Sequence, residues 1–309
     1  MMKSPKDLVD DLRAQLEKLK PGRDEFYRFH HNFHHIVNQF EVPGPKMAET
    51  KNFHVPDDDF PVPVRLYVPY GACNSPGPCI IFLHGGGFVT CSPDTHEIIA
   101  LRLASGSGYR VLSVDYRLAP QHKFPAALED CEKVLNRVLD GYGEDCGLSR
   151  HEVALCGDSA GGNMAAYLSQ KHRKKISCQI LFYPLLQFVE LKPAIPGPQD
   201  ILPLGFTALK FIKEHYVAGA DTRDTRLSPL LERDLTGVPP THILTCGLDP
   251  LRMEGRAYAE NLRTAGVRVV EIHEKAMPHG FLNFSGAFPK ARRIPLDAAD
   301  FVREHMPSG

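Results

Sequence analysis

The sequence predicts an α/β fold in which a mostly parallel central sheet is flanked by helices. Short apolar runs typical of buried strands alternate with amphipathic patterns of helix length, and this alternation is typical of βαβ units. The predicted strands lie at 79–83, 110–114, 152–156, 178–183, 242–246 and 268–272. The predicted helices lie at about 94–107, 122–140, 160–173, 252–265 and 292–305.

Two segments do not follow this alternation. Residues 1–45 contain two helical patterns, and residues 188–217 combine a proline-rich loop with a helical pattern. A long insertion inside a compact domain is usually functional, so both segments are expected to form a small helical cap over a core of residues 46–187 and 218–309. Alternating apolar positions predict strands within 51–70, with a hairpin turn at Asp57-Asp58-Asp59.

Composition places the chain among ordinary globular proteins. Its 309 residues are 43% hydrophobic and 24% charged, with a formal net charge of −1, which gives no reason to expect a nucleic-acid or anionic-membrane partner. No stretch approaches the ~20 apolar residues that a transmembrane helix needs. The eight cysteines show no paired C-x-x-C spacing. We therefore expect reduced structural thiols and a cytoplasmic protein.

A nucleophile elbow is predicted at residues 157–161. The apolar strand pattern ends at Gly157, and a helical pattern of small residues follows at once. The stretch Gly157-Asp158-Ser159-Ala160-Gly161 fits G-x-S-x-G, in which the serine lies on a sharp strand-to-helix turn. Such a turn exposes the Ser159 hydroxyl and directs the Ala160 N–H toward a developing oxyanion. Ser159 is the candidate nucleophile.

Candidate partners for this serine follow it along the chain. A serine nucleophile needs an adjacent base, and that base needs an acid to orient it. Asp249 comes directly after the 242–246 strand, and His279 lies in the loop after the 268–272 strand. Taken alone, Asp249 is better explained as a helix N-cap before Pro250, and His279 as one of 15 histidines. Their joint occurrence in the order Ser…Asp…His favours the catalytic interpretation.

A glycine-rich loop follows the first predicted parallel strand. His84-Gly85-Gly86-Gly87 comes directly after residues 79–83, and three glycines leave backbone N–H groups free of side-chain obstruction. The alternative is a simple glycine-rich turn, but H-G-G-G after a strand is typical of the oxyanion hole of lipases and esterases. A phosphate site is disfavoured because neither G-x-G-x-x-G nor a Walker lysine is present.

With these stretches in order, the chain resembles the hormone-sensitive-lipase-like branch of the α/β-hydrolase family, which includes carboxylesterases and arylacetamide deacetylases. The similarity covers about residues 60–305. The stretches that carry it are 84–87, 115–120, 124–130, 157–162, 228–230, 249–251 and 279–281.

The resemblance implies an α/β-hydrolase fold and a triad of Ser159, Asp249 and His279. It implies an oxyanion hole built from Gly85, Gly86, Gly87 and Ala160, with Gly86 and Gly87 as the expected donors of the loop. It also implies a structural ion pair between Asp115 and Arg117. No cofactor is expected. One departure is Met253, where the family often has an acidic residue.

Apolar residues near these motifs are candidates for a substrate pocket, with ordinary core or cap packing as the alternative. They are Phe88, Val89, Leu185, Leu186, Phe188, Phe206, Phe211, Phe281 and Leu282.

We expect a serine carboxylesterase that acts on short- to medium-chain esters and that is able to form a homodimer. The alternatives are amide hydrolysis on the same triad, as in arylacetamide deacetylases, and a non-catalytic ligand-binding protein on this fold. The paired histidines of 30–35 could hold a metal, but a solvated helix face explains them as well. No metal site is predicted.

Overall fold

The computed structural model describes residues 35–73, 75–190 and 206–306, together with residues 7, 10, 11 and 14. The side chains of residues 206–208 are outside the described part. Most of the predicted N-terminal cap segment, and all of the histidine cluster except His35, also lie outside it.

Eight strands form one sheet in the order β1-β2-β4-β3-β5-β6-β7-β8. β1 pairs antiparallel with β2, β2 pairs antiparallel with β4, and all other pairs are parallel. The predicted mostly parallel sheet and the predicted hairpin are therefore confirmed. The strands are β1 Glu49–Val55, β2 Val62–Val68, β3 Gly77–Leu83, β4 Arg110–Val114, β5 Leu148–Asp158, β6 Cys178–Phe182, β7 Thr241–Leu248 and β8 Val269–Pro278.

Helices cover both faces of this sheet, because successive side chains of a strand point to opposite sides. Ile81 of β3 joins one buried cluster, and its neighbours Ile80 and Phe82 join the other. Helices α2, α3 and α5 pack into the first cluster, and α1 and α6 pack into the second. The helices are α1 Glu97–Ser107, α2 Ala126–Leu139, α3 Ala160–Lys171, α4 Phe206–Ile212, α5 Arg252–Thr264 and α6 Lys290–His305.

The largest difference from the predicted elements is at β8, which continues to Pro278 instead of ending at residue 272. Its additional residues still pair with β7, from His273 opposite Thr245 to Pro278 opposite Leu248. β8 is an edge strand and half-exposed. Polar residues such as Glu274 and Lys275 are tolerated there, so the apolar pattern ends before the strand does.

The two segments predicted to form a cap both contact the core where they are described. Residues 35–40 are helical, and Ile36, Val37 and Phe40 are buried in the cluster that contains α1 and α6. Residues 206–217 form α4 and a π-helical turn over Lys213–Val217. The described residues between β6 and β7 include no strand. No helix in the described part of the chain is both long and apolar enough to cross a membrane.

Candidate active site

Ser159 lies on the sharp turn between β5 and α3. Its φ of 52° and ψ of −114° are unusual for a residue with a side chain, and such a conformation costs of order 1–3 kcal/mol. Packing requires this turn to be tight: a Cβ on Gly161 would overlap the carbonyl oxygen of Leu83 at the end of β3. The sequence therefore places a glycine where the helix start touches the neighbouring strand, and Ser159 is turned outward.

The three predicted triad residues come together in one hydrogen-bonded row. His279 Nε2 lies 2.9 Å from Ser159 Oγ, and His279 Nδ1 lies 2.8 Å from Asp249 Oδ2. A carboxylate can only accept, so the Nδ1 hydrogen faces Asp249 and leaves Nε2 to accept the serine hydroxyl hydrogen. All three residues are buried, between 7% and 9% exposed. This arrangement can move a proton away from the serine.

Asp249 is anchored by its second oxygen. The Leu251 N–H donates to Asp249 Oδ1 over 2.8 Å, whereas α5 begins only at Arg252 with Leu251 as its N-cap. Asp249 therefore caps the turn that leads into α5 with one oxygen, so the capping alternative and the catalytic interpretation do not exclude each other. Its carboxylate is held on the backbone side and presents its other oxygen to His279.

Tyr183 lies directly beside His279, and sequence reasoning missed it. It follows β6 with a φ of 38°, and its ring centroid is 4.9 Å from the His279 ring. Burial raises the pKa of Tyr183 well above its ordinary value, so this phenol stays neutral. The available signal was an aromatic residue immediately after a buried strand, which is too common to single out Tyr183.

The backbone of the glycine-rich loop is fixed by side chains around it. The Gly85 N–H donates to Asp158 Oδ1 over 2.7 Å, and the Tyr116 hydroxyl donates to the His84 carbonyl oxygen over 2.6 Å. The His84 ring stacks on the Tyr116 ring at 4.2 Å. Because the Gly85 N–H is already engaged, the inclusion of Gly85 among the oxyanion donors is wrong.

Gly86, Gly87 and Ala160 remain as candidate donors. The N–H groups of these three residues meet no acceptor in the part of the chain that the structure describes. Gly86 and Gly87 have φ values of 112° and 63°, which favour glycine. Leu83 of β3 pairs with Gly157 of β5, so the loop after β3 and the elbow after β5 lie side by side. The result is a group of backbone N–H donors next to Ser159.

Most of the predicted pocket residues gather near this loop. The Phe88 ring stacks on Tyr216 at 3.9 Å and lies 6.2 Å from the Phe188 ring. The Leu185 N–H donates to the Ser159 carbonyl oxygen over 3.1 Å, which places Leu185 at the elbow. Val89 and Leu186 are buried in the same cluster, and Phe211 packs against it. Phe206 begins α4, and its side chain is outside the described part.

Phe281 and Leu282 do not belong to this group. Both are buried in the cluster on the other face of the sheet, where the Phe281 ring contacts Phe288 edge-on at 6.2 Å and lies near Tyr183. Their place in this cluster is the ordinary core packing that was the alternative for them, and their assignment to the pocket stays a prediction.

A buried carboxyl supports the loop after β6. Glu254 of α5 accepts from the Leu186 N–H over 2.7 Å and from the Gln187 side chain over 3.0 Å. Burial raises the pKa of Glu254 to about 8, and the charge of Asp249 adds to this shift. The departure noted at Met253 has little effect here, because that side chain is 56% exposed and the supporting contact comes from Glu254.

The prediction of an ion pair between Asp115 and Arg117 is wrong. The Arg117 guanidinium forms a two-point contact with Asp130 of α2, at 2.8 Å and 2.7 Å. Asp115 is exposed, whereas Asp130 is fully buried and its burial demands a partner.

Among the described residues, no group of three or more metal-binding side chains is found.

The comparisons with known proteins agree with this fold. A family model described as alpha/beta hydrolase fold matches residues 80–283. The chain is 34% identical to esterase LipI of Mycobacterium tuberculosis, over 75% of this chain and 74% of that protein. It is 28% identical to arylacetamide deacetylase of Bos taurus, over 79% of this chain and 78% of that protein.

Solved structures show the same likeness. An ester hydrolase from the metagenome of Lake Arreo, complexed with a derivative of bipyridine phosphonate, is 32% identical with a TM-score of 0.89. That match covers 99% of both chains. The chain belongs to the α/β-hydrolase family.

Proposed function

We propose that the chain is a serine carboxylesterase that hydrolyses short- to medium-chain carboxylic esters through an acyl-enzyme. The observation that carries this proposal is the position of His279, which hydrogen-bonds Ser159 on one side and Asp249 on the other. Relatives named as esterases, such as LipI, support an ester as the substrate.

The first half of the reaction acylates Ser159. His279 Nε2 takes the hydroxyl proton as Ser159 Oγ attacks the ester carbonyl carbon, and Asp249 stabilises the imidazolium that forms. The negative charge on the carbonyl oxygen is stabilised by the N–H groups of Gly86, Gly87 and Ala160. His279 then gives its proton to the departing alcohol oxygen, and the acyl group remains on Ser159.

The second half releases the acid. His279 takes a proton from a water molecule, whose oxygen attacks the acyl carbon over the same N–H donors. Collapse of this intermediate returns the proton to Ser159 Oγ and frees the carboxylic acid. No further group is needed, because the same three side chains perform both halves.

A limited chain length follows from the aromatic packing around the site. Phe88, Phe188 and Tyr216 are all buried against one another, so the apolar volume beside the elbow is already filled with side chains. Tyr216 and Ile212 belong to the segment 188–217, and Ile212 lies directly against Gly87. This contact supports the proposed division into a core of 46–187 and 218–309 and a cap of 1–45 and 188–217.

The test is hydrolysis of p-nitrophenyl acetate, butyrate and octanoate by the parent protein and by the Ser159→Ala variant. The parent is also treated with a fluorophosphonate probe, and the labelled residue is identified by mass spectrometry. We expect activity that falls from butyrate to octanoate, loss of activity in the variant, and the probe on Ser159. A parent that neither turns over an ester nor takes up the probe would contradict the proposal and favour a non-catalytic ligand-binding protein.

Amide hydrolysis is the second candidate, because arylacetamide deacetylase of Bos taurus is among the relatives. The triad can transfer an acyl group from nitrogen as well as from oxygen. Comparing phenyl acetate with acetanilide under the same conditions separates the two. A kcat/KM for the anilide equal to that for the ester would replace the esterase proposal. A homodimer and a cytoplasmic location stay predictions.

A further inference from the structure

His96 is a buried histidine that the proposed reaction does not use. It lies directly before α1, is 2% exposed, and belongs to no motif that the sequence analysis singled out. Burying an imidazole is costly unless its nitrogens have partners. The partners of His96 belong to the loops that carry the oxyanion donors, the nucleophile and the base.

The first contact joins His96 to the elbow and to the glycine-rich loop of residues 84–87, which we call the oxyanion loop. His96 Nε2 lies 3.3 Å from Asp158 Oδ2, and the other oxygen of Asp158 accepts the Gly85 N–H over 2.7 Å. Since a carboxylate can only accept, His96 Nε2 donates its hydrogen in this contact. Asp158 is one residue before Ser159. A single buried carboxylate therefore connects the nucleophile turn to the start of the glycine loop.

The second contact joins His96 to residues 279–283, which carry the base His279 and which we call the base loop. Asn283 Nδ2 lies 3.1 Å from His96 Nε2, and because Nε2 is already a donor, the pair forms a hydrogen bond when the Asn283 amide is turned by 180° so that Oδ1 accepts. Asn283 ends the short helical turn Phe281–Asn283 that follows His279. On the other side of the ring, Nδ1 lies 2.9 Å from Thr95 Oγ1. Thr95 Oγ1 in turn accepts from the Ser92 N–H over 3.0 Å. Both ring nitrogens are therefore tied to structure that does not belong to the triad.

We propose that His96 is a positioning residue which, through Asp158, holds the backbone N–H groups of the oxyanion loop in a fixed orientation relative to Ser159. This inference rests on the proposed function. N–H donors act on a transition state only if they already point to where its charge develops. The bond from Gly85 to Asp158 fixes the peptide immediately before Gly86 and Gly87. Without His96, the Asp158 carboxylate loses the partner that sets its orientation, and the loop loses its anchor.

The experiment compares three variants of the full chain. His96→Leu removes both ring nitrogens, and His96→Gln keeps a donor near the position of Nε2. His242→Leu is the matched control: His242 is equally buried but lies near the start of β7, away from the carboxyl ends of the strands. For each variant we measure kcat and KM with p-nitrophenyl butyrate, the inhibition constant of an alkyl trifluoromethyl ketone, and thermal unfolding by circular dichroism.

We expect kcat of His96→Leu to fall by about 10- to 100-fold, which is no more than the fall caused by removing one oxyanion donor. KM should stay within about twofold of the parental value. Trifluoromethyl ketone affinity should fall by the same factor, because its adduct carries the charge of the transition state. His96→Gln should recover most of the kcat, and His242→Leu should keep the parental value. A purely structural role predicts a loss of stability without this division between kcat and KM.

Three results would overturn the proposal: parental kcat in His96→Leu, a change confined to KM, or ketone affinity that stays constant while kcat falls. Should His96→Leu not fold, Asp158→Asn takes its place, since the amide oxygen can still accept from Gly85 while a donor then faces His96. Parental kcat in that variant would equally contradict the proposal. If the parent and His242→Leu fail to hydrolyse the ester, the proposed function itself has failed, and this inference fails with it.

Discussion

At the scale of single residues, the site is built from side chains that each serve two partners. Asp249 accepts from a backbone N–H with one oxygen and faces His279 with the other. His279 in turn faces Asp249 and Ser159. Because every polar atom has a defined partner, each residue has one orientation before substrate arrives. Such preorganisation is what lowers the barrier to proton transfer.

Asp249→Asn tests this arrangement at one atom. The amide oxygen can keep the bond from the Leu251 N–H, but its NH2 group then faces His279 Nδ1 and favours the wrong tautomer. We expect kcat to fall by about 10³- to 10⁴-fold, with thermal unfolding changed little. Steady-state kinetics and circular dichroism measure the two effects. A variant that keeps a tenth of the parental kcat would argue against Asp249 as the orienting acid.

At the scale of elements, the carboxyl ends of neighbouring strands bring the loops together. The loop after β6 carries Leu185 and Leu186, and α5 holds it through Glu254. The segment 206–217 also contributes to these surroundings, because its Tyr216 ring stacks on Phe88. The apolar surroundings of Ser159 are thus formed by elements that are far apart in sequence.

Glu254→Gln tests the support from α5 through pH. Burial raises the pKa of Glu254 from 4.5 to about 8. Between these values the folded state binds more protons than the unfolded state, so this carboxyl lowers the free energy of unfolding as pH rises and has no further effect above pH 8. A glutamine does not titrate. The difference in unfolding free energy should therefore shift in favour of the variant between pH 5 and pH 8.

Urea unfolding at pH 5, 6, 7 and 8 measures this difference. Glu260→Gln is the matched control, because Glu260 lies on the same helix but is exposed. We expect its difference from the parent to stay constant over this range. A constant difference for Glu254→Gln as well would show that this carboxyl keeps an ordinary pKa in the folded protein.

Tyr216→Ala tests the contact between the cap segment and the oxyanion loop. The substitution removes the ring stacked on Phe88, an interaction worth about 0.5–1.5 kcal/mol beyond its buried area, and opens space beside the elbow. We expect the ratio of kcat/KM for octanoate over acetate to rise by about 3- to 10-fold. Tyr70→Ala is the control, since Tyr70 is 69% exposed. An unchanged ratio would place the acyl chain elsewhere.

At the scale of the whole molecule, a buried polar cluster joins the N-terminal segment to two distant parts of the chain. The Arg102 guanidinium donates to Ser285 Oγ over 2.8 Å and lies 3.8 Å from Glu41. Ser285 also donates to Glu41, and the Val42 N–H donates to Ser285. The N-terminal segment is thereby attached to α1 and to the loop that follows His279. Burial raises the pKa of Glu41 to about 7.

Arg102→Met tests this attachment. Methionine fills much of the volume but leaves Glu41 without its cation. Below pH 7 Glu41 is largely protonated in both proteins and the cost is small. Above pH 7 the parent ionises Glu41 beside Arg102 while the variant keeps it protonated, so the loss grows by at most about 1.4 kcal/mol per pH unit. We expect the loss in unfolding free energy to grow between pH 6 and pH 8.5. The double variant Arg102→Met, Glu41→Gln should remove this pH dependence, and a dependence that persists would assign it to another group.

Three features could be predicted from the sequence alone: the alternation of strands and helices, the elbow at Ser159, and the order in which Asp249 and His279 follow it. Each depends on a local signal: an apolar run, a glycine spacing, or a polar residue just after a strand. Tertiary structure decided which glycine N–H groups remain open, because Gly85 meets Asp158, 73 positions away. It also paired Arg117 with Asp130, placed Phe281 in the core on the other face of the sheet, and gathered Glu254, Tyr183 and His96 around the site. Such contacts form between elements that are distant along the chain, so no local pattern encodes them.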